Sequence, residues 1–320
     1  MIEISELTKY YGTRKAVGPL SFTIDKGEVV GLLGLNGAGK TTTLRMLSSD
    51  LLPTSGQMLV DGQDLAEVPE KVRPRIGYLP DKPPLYGEMT VREYLVFAGQ
   101  LRGMKGSLTK RIDEVIETTD LGEYADEPID TLSHGYRQRV GIAQAIVHKP
   151  ALLLLDEPIS GLDPVQIVEM RALIRSLRGE HTIVLSSHIL SEISETCDRL
   201  LVIRDGEIVA SGSEQELSTQ MAAAKSFRIA VRAPGSYRDA PFEAVVKVLE
   251  AIDGVERVTQ VQVPLGEADV IAASVSATLD IRELAVKRLV EADFGVLGLE
   301  RTGKELERVF LQLTGKEAAA

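Results

Sequence analysis

An α/β fold built on a mixed sheet, followed by a smaller α+β domain, is what this sequence predicts. Three observations carry the prediction. Short, continuous apolar runs recur at 28–33, 151–155, 182–185 and 200–203, as in strands of a sheet covered on both faces. A glycine-rich stretch from Gly34 to Gly39 joins the first run to a segment with helical apolar spacing. Beyond about residue 225 the pattern changes to short alternating strands interleaved with amphipathic helices.

Taken in chain order, Glu28 to Leu33 is rich in strand formers, and Leu44, Met46 and Leu47 then suit a helix packed on a sheet. Residues 90–120 read as mainly helical, with Val91, Tyr94, Leu95 and Ala98, then Ile112, Val115 and Ile116, at helical spacing. Ala151–Leu155 and Thr182–Leu185 are buried strands. Leu200–Ile203 is a third, and the turn Arg204-Asp205-Gly206-Glu207 suits a hairpin into Ile208-Val209. Ser218-Thr219-Gln220 and the alanines at 222–224 mark a boundary. Past it, Phe227, Ile229 and Val231 alternate as on a strand, and Phe242, Val245, Val246, Leu249 and Ile252 switch to helical spacing. Val261/Val263 and Ile271/Ala273/Val275 give two strands with Gly266 between them; Ile281, Leu284, Ala285 and Leu289 give a helix, and Val296–Leu299 a strand. The order βαββαβ is the split βαβ, ferredoxin-like arrangement. Leu306, Val309, Phe310 and Leu313 predict one last amphipathic helix.

Composition narrows the function classes. Apolar residues make up 44% and charged residues 26% of the 320, which excludes wholesale disorder. The single cysteine, Cys197, excludes an internal disulfide and fits a reducing compartment. A formal net charge of −11 argues against general nucleic-acid binding, which needs Lys and Arg to neutralise phosphates. The amino-terminal MIEISELTKYYG lacks the basic-then-apolar pattern of a secretory leader. The run ALLLL at 151–155 is far short of the roughly 18 residues a membrane-spanning helix requires.

The chemistry concentrates in a few motifs. Gly34-Leu35-Asn36-Gly37-Ala38-Gly39-Lys40-Thr41, followed by Thr42, fits G-x-x-x-x-G-K-[ST] between a strand and a helix. Backbone N–H groups and the helix amino terminus cradle phosphates, Lys40 reaches the β- and γ-phosphates, and the Thr41 hydroxyl can ligate Mg²⁺. Four leucines lead into Asp156-Glu157, and carboxylates ending a buried strand are costly without partners or a job. Asp156 suits a Mg²⁺ ligand and Glu157 a base that polarises the attacking water; a helix cap is the plain alternative. Between these motifs lies Leu132-Ser133-His134-Gly135-Tyr136-Arg137-Gln138-Arg139. Ser133 there is either an ordinary helix cap or, with the Gly135 backbone, a phosphate ligand.

This segment resembles the LSGGQ signature of ATP-binding-cassette (ABC) ATPases, and in order with the other motifs it identifies residues 1–217 as similar to a complete ABC ATPase domain. That resemblance implies a P-loop NTPase fold with a helical subdomain at about 82–135, ahead of an accessory domain at 225–315. It implies ATP and Mg²⁺ as cofactors, Ser133 and Gly135 acting on the nucleotide of an opposing subunit, and Asp163 in the D-loop Ser160-Gly161-Leu162-Asp163. His188 matches the switch histidine at the γ-phosphate, and Tyr11 the aromatic that stacks on adenine. Where the family carries Gln, Ile76-Gly77-Tyr78-Leu79-Pro80-Asp81 ends in Asp81, which suits a Mg²⁺ ligand but cannot donate a hydrogen bond when ionised. Pro83-Pro84-Leu85-Tyr86 is either the loop that meets the membrane subunit or a stiff loop packed on its own domain. The segments around 76–95, 132–146 and 186–213, and LERVFLQLT at 306–314, resemble type-2 ABC exporter ATPases. The resemblance implies ATP hydrolysis that drives export through a permease on a separate chain, a homodimer or heterodimer of ATPase subunits, and a peripheral place on the cytoplasmic membrane face. The alternative is a soluble cassette ATPase acting on ribosomes or DNA. It fits less well, because one cassette is present without a basic linker or a long coiled coil.

Overall fold

Fully apolar strands need cover on both sides, and the chain supplies it with helices and a second sheet. The computed structural model describes residues 2–106, 108–221, 227–234, 241–261 and 270–301. The elements up to the middle of the chain are β1 (Ile2–Tyr11), β2 (Arg14–Ile24), β3 (Val29–Leu33), α1 (Lys40–Leu47), β4 (Ser55–Val60), β5 (Gln63–Asp64), α2 (Pro69–Val72) and β6 (Ile76–Leu79). Three helices follow: α3 (Val91–Leu101), α4 (Thr109–Thr118) and α5 (His134–Ile146). Then come β7 (Leu152–Leu155), α6 (Pro164–Ser176), β8 (Thr182–Ser187), α7 (Leu190–Ile193), β9 (Arg199–Arg204), β10 (Glu207–Gly212) and α8 (Glu214–Met221). The last elements described are β11 (Phe227–Arg232), α9 (Pro241–Glu250), β12 (Val255–Val261), β13 (Val270–Ala277), α10 (Arg282–Glu291) and β14 (Gly295–Arg301).

The chain divides into two compact units between Glu214 and Gln215. In the first, an antiparallel sheet of order β2-β1-β4-β5 faces a six-stranded sheet of order β10-β9-β3-β8-β7-β6, parallel except where β10 pairs with β9. Every residue of β3, β7 and β8 is buried. Ile4, Leu7 and Leu20 of the antiparallel sheet meet Val30, Leu32, Leu44 and Leu47 in one apolar core. Because β3 and β7 both flank β8, the loops at their carboxyl ends converge on one edge, where α/β sheets hold their ligands. The helical stretch opens with a capping box at α3: Glu93 N donates to Thr90 Oγ1 at 3.2 Å, and Thr90 N to the Glu93 carboxylate at 2.9 Å. Val91, Leu95, Ile112, Val115 and Ile116 are buried, as their spacing predicts.

In the second unit the sheet order β12-β13-β11-β14 is the 4-1-3-2 order of a ferredoxin-like fold, read from β14 inward by the unit's own strand count. Phe227, Ile229, Val231, Ala273 and Val275 pack with Val245, Leu249, Ala285 and Leu289 of α9 and α10. The expected final helix with Leu306, Val309, Phe310 and Leu313, the alanines at 222–224, and Val263 and Gly266 lie outside the described residues.

Candidate functional site

The phosphate-type loop is built by close contact. Gly34 leaves β3 where a Cβ would stand 2.5 Å from the Ile203 carbonyl oxygen, and Gly39 has φ +111° with Val17 2.9 Å from any Cβ. No other residue type fits these positions without displacing backbone. Gly206, in the β9–β10 turn, donates to the Ala38 carbonyl at 3.0 Å and buttresses the loop from below. The helix α1 starts at Lys40, so its free N–H groups and positive end face the loop.

Lys40 is buried, and its Nζ donates to Gly34 O at 2.8 Å and Leu35 O at 3.3 Å. It also lies 3.2 Å from Glu157 Oε1. The other Glu157 oxygen, Oε2, is 2.9 Å from His188 Nδ1, so both carboxylate oxygens are engaged. Glu157 adopts φ +49°, a left-handed conformation that costs a non-glycine residue on the order of 1–2 kcal/mol.

One residue earlier, Asp156 is fully buried; its Oδ1 accepts from Ser186 Oγ at 2.7 Å and Thr41 Oγ1 at 3.2 Å. Burial holds its carboxyl above the usual carboxylate range; Glu157 and Asp81 push the same way against the Ser186 and Thr41 hydroxyls. Asp156 Oδ2 is buried without a hydrogen-bond partner. A hard cation seeks oxygen ligands of this kind, and the donor set of Thr41 hydroxyl and Asp156 carboxylate fits Mg²⁺. Among the described residues no three His, Cys, Asp or Glu gather into a metal site of their own. An ion held by Thr41 and Asp156 would therefore need further oxygens, from water or from a bound phosphate. Tyr11, Asn36, Gly37, Gly39, Lys40, Thr41, Thr42, Asp81, Glu157 and His188 all line one cavity of about 880 Å³.

The comparisons with known proteins agree on one family. A family model described as ABC transporter matches residues 17–160. The uncharacterized ABC transporter ATP-binding protein YxlF of Bacillus subtilis is 42% identical over 221 residues, 69% of this chain and 73% of that one. The linearmycin resistance ATP-binding protein LnrL of the same organism is 32% identical over 321 residues, 99% of each chain. The chain belongs to the ABC transporter ATP-binding family. Among solved structures, an ATP-binding subunit of an ABC transporter overlays with a TM-score of 0.62 at 30% identity, covering 69% of this chain and 93% of that one. A dimeric bacterial ABC transporter cassette gives 0.61 at 25% identity, over 67% and 98%. This ABC subunit binds and hydrolyses ATP to energise transport, and its transporter relatives favour that reading over a ribosome- or DNA-directed ATPase.

Not every motif of the ABC subunit reaches the cavity. Ser133 caps α5, accepting from Tyr136 N at 3.4 Å, and neither it nor Gly135 lines the cavity. A Cβ on Gly135 would stand 2.9 Å from the Gln166 side chain on α6. Asp163 caps α6 through Val165 N at 3.0 Å and Gln166 N at 2.9 Å, again outside the cavity. Gly34, Leu35 and Ala38 act through the backbone, as carbonyls that accept from Lys40 and Gly206. Ser186, which the sequence reading passed over, is central: its hydroxyl donates to Asp156 and accepts from Glu157 N at 2.9 Å. Two serines closing an apolar strand just before a histidine are the signal that marks it.

Proposed function

We propose that this subunit works as one of a nucleotide-sandwiching pair, driving export of antimicrobial compounds through a permease on a separate chain. The observation that carries the pairing is the split of motifs. Lys40, Thr41, Asp156, Glu157 and His188 gather on one edge of the sheet, while Ser133 and Gly135 lie at the amino end of α5, off that cavity. A second cassette facing the cavity brings its own Ser133 and Gly135 to the γ-phosphate, completing the site from two chains. The dimeric cassette among the structural neighbours supports this reading. The export reading draws on relatives named for bacitracin transport and linearmycin resistance. No helix among the described residues is long and apolar enough to cross a membrane, which fits a peripheral subunit on the cytoplasmic face. Tyr86 supports the permease contact: it is 57% exposed, while its ring packs 5.5 Å from that of Phe97, and Tyr94 Oη donates to Pro84 O at 3.2 Å. The 83–86 loop is thus both anchored on its own domain and offered outward.

In hydrolysis, the phosphates of ATP draw Lys40 off Glu157 and neutralise its charge. Glu157, held by His188, takes a proton from water as the water oxygen bonds the γ-phosphorus and the bond to the β-phosphate oxygen breaks, leaving ADP and phosphate. Thr41 and Asp156 would hold Mg²⁺, with Asp81 lining the same pocket, and the ion would supply charge to offset the phosphates. Tyr11, 49% exposed at the cavity mouth, offers its ring to adenine. Glu157→Gln keeps the shape and removes the base, so hydrolysis should fall by about 10²–10⁴-fold. Light scattering of that variant should give a dimer in Mg-ATP and a monomer in Mg-ADP; a monomer in both would overturn the pairing.

A further inference from the structure

We propose that Glu192 is a positioning residue for hydrolysis, orienting His188 through the hydroxyl of Ser187. Ser187 ends β8 and Glu192 lies in α7, a helix of four residues without a side-chain cap, too short to hold its own place. Both residues are buried, at 2% and 7% exposure. Ser187 Oγ donates to Glu192 Oε2 at 2.6 Å and accepts from Ile189 N at 3.0 Å. The two residues flanking His188 are therefore pinned by one hydroxyl. The Ser187 carbonyl accepts from Gly34 N at 3.3 Å, which ties the same residue to the start of the phosphate loop. From there the chain of contacts runs through His188 and Glu157 to Lys40.

Glu192 is held in turn from the other side. Its own carbonyl accepts from Arg171 Nε at 3.1 Å, and the Ser191 carbonyl accepts from the same guanidinium. Arg171 lies on α6, the helix that Asp163 caps. Among the described residues no Lys or Arg side chain pairs with the Glu192 carboxylate, so its strong bond goes to a neutral hydroxyl. Burying a carboxylate for that alone is expensive, and a leucine in its place would fill the space more cheaply. What the carboxylate adds is direction: it fixes the Ser187 rotor, and through it the turn that aims the histidine.

This inference rests on the reading of His188 and Glu157 as hydrolytic groups, and the test separates the two. In the full chain, kcat and KM for Mg-ATP are measured for Glu192→Ala, Glu192→Gln, Ser187→Ala, His188→Ala and the double variant Glu192→Ala/His188→Ala. Glu192→Ala and Ser187→Ala should each lower kcat about tenfold with KM held within about twofold, as expected for a displaced catalytic group. Glu192→Gln keeps an acceptor for Ser187 and should stay within about threefold of the parent. The double variant should be no slower than His188→Ala alone, since the two changes act through one group. A normal kcat for His188→Ala would overturn both readings. A slow His188→Ala beside a normal Ser187→Ala and a normal Glu192→Ala would overturn the positioning role alone. So would equal losses from Glu192→Ala with and without His188, which would make Glu192 a prop for the fold. Should Glu192→Ala fail to fold, Ser187→Ala and Glu192→Gln still decide the matter.

Discussion

The two units of this chain use similar layers of strand and helix but fill them differently. Every fully described polar or charged side chain that is buried belongs to the first unit, among them Lys40, Thr43, Asp156, Ser186, Ser187 and Glu192. The core of the second is Phe, Ile, Leu, Val and Ala throughout. A polar group under cover costs free energy unless it is bonded, so a core that concentrates such groups has given up stability for placement. A core without them is free to be a stable support. The contrast matches the proposed division of labour, with the chemistry in the first unit.

Lys40→Ala tests that division most severely. It removes the cation that the loop carbonyls and Glu157 share, and hydrolysis should fall by about 10²–10³-fold, as when one pre-placed electrostatic donor is lost. The second unit should melt as before, which differential scanning calorimetry can check. Phe227→Ala makes the reverse case. Phe227 is 1% exposed in the second unit's core, and the truncation should lower that unit's stability by about 3–5 kcal/mol. The hydrolysis rate at 25 °C should stay within about twofold, because no cavity residue is touched; a large drop would mean the units are coupled.

Acid should loosen the first unit through a smaller effect. His148 Nε2 sits 3.1 Å from the Ile76 carbonyl, Nδ1 is buried without a partner, and burial lowers the imidazole pKa from 6.5 to about 4, with Arg102 nearby adding to it. The folded state thus refuses a proton that the unfolded chain accepts. Stability is unaffected by this group above pH 6.5 and declines as the pH falls from there toward 4, by at most about 3 kcal/mol before solvent screening. The melting temperature of His148→Gln should change less over that interval than that of the parent.

Much of the layout was legible because it follows from local rules. The run Val29–Leu33 is a central strand since nothing polar interrupts it, and Gly34 to Thr41 declares its ligand by spacing alone. The change of period after residue 225 announces the second unit for the same reason. What stayed hidden depends on register between distant strands. Leu155 pairs with Leu185, so Asp156 and Ser186 become neighbours one step on, and no local pattern at 156 points to 186. The left-handed turn at Glu157 and the hydroxyl link from Ser187 to Glu192 are likewise products of packing. Ser133 was legible as a motif and as a cap at once, and its cap is what the single chain displays.

The grip on Glu157 has a further consequence. With Lys40 on one oxygen and His188 on the other, the carboxylate works like a lock with one key, since only the lysine has to leave. A stray water reaching it meets a carboxylate whose charge Lys40 already offsets, so the group is held in reserve. In the proposed mechanism phosphate turns the key by recruiting the lysine, while the histidine keeps its hold on the other oxygen. Timing in such a device comes from who holds the base, and in the proposed mechanism the base comes free only where a phosphate has arrived to take the lysine.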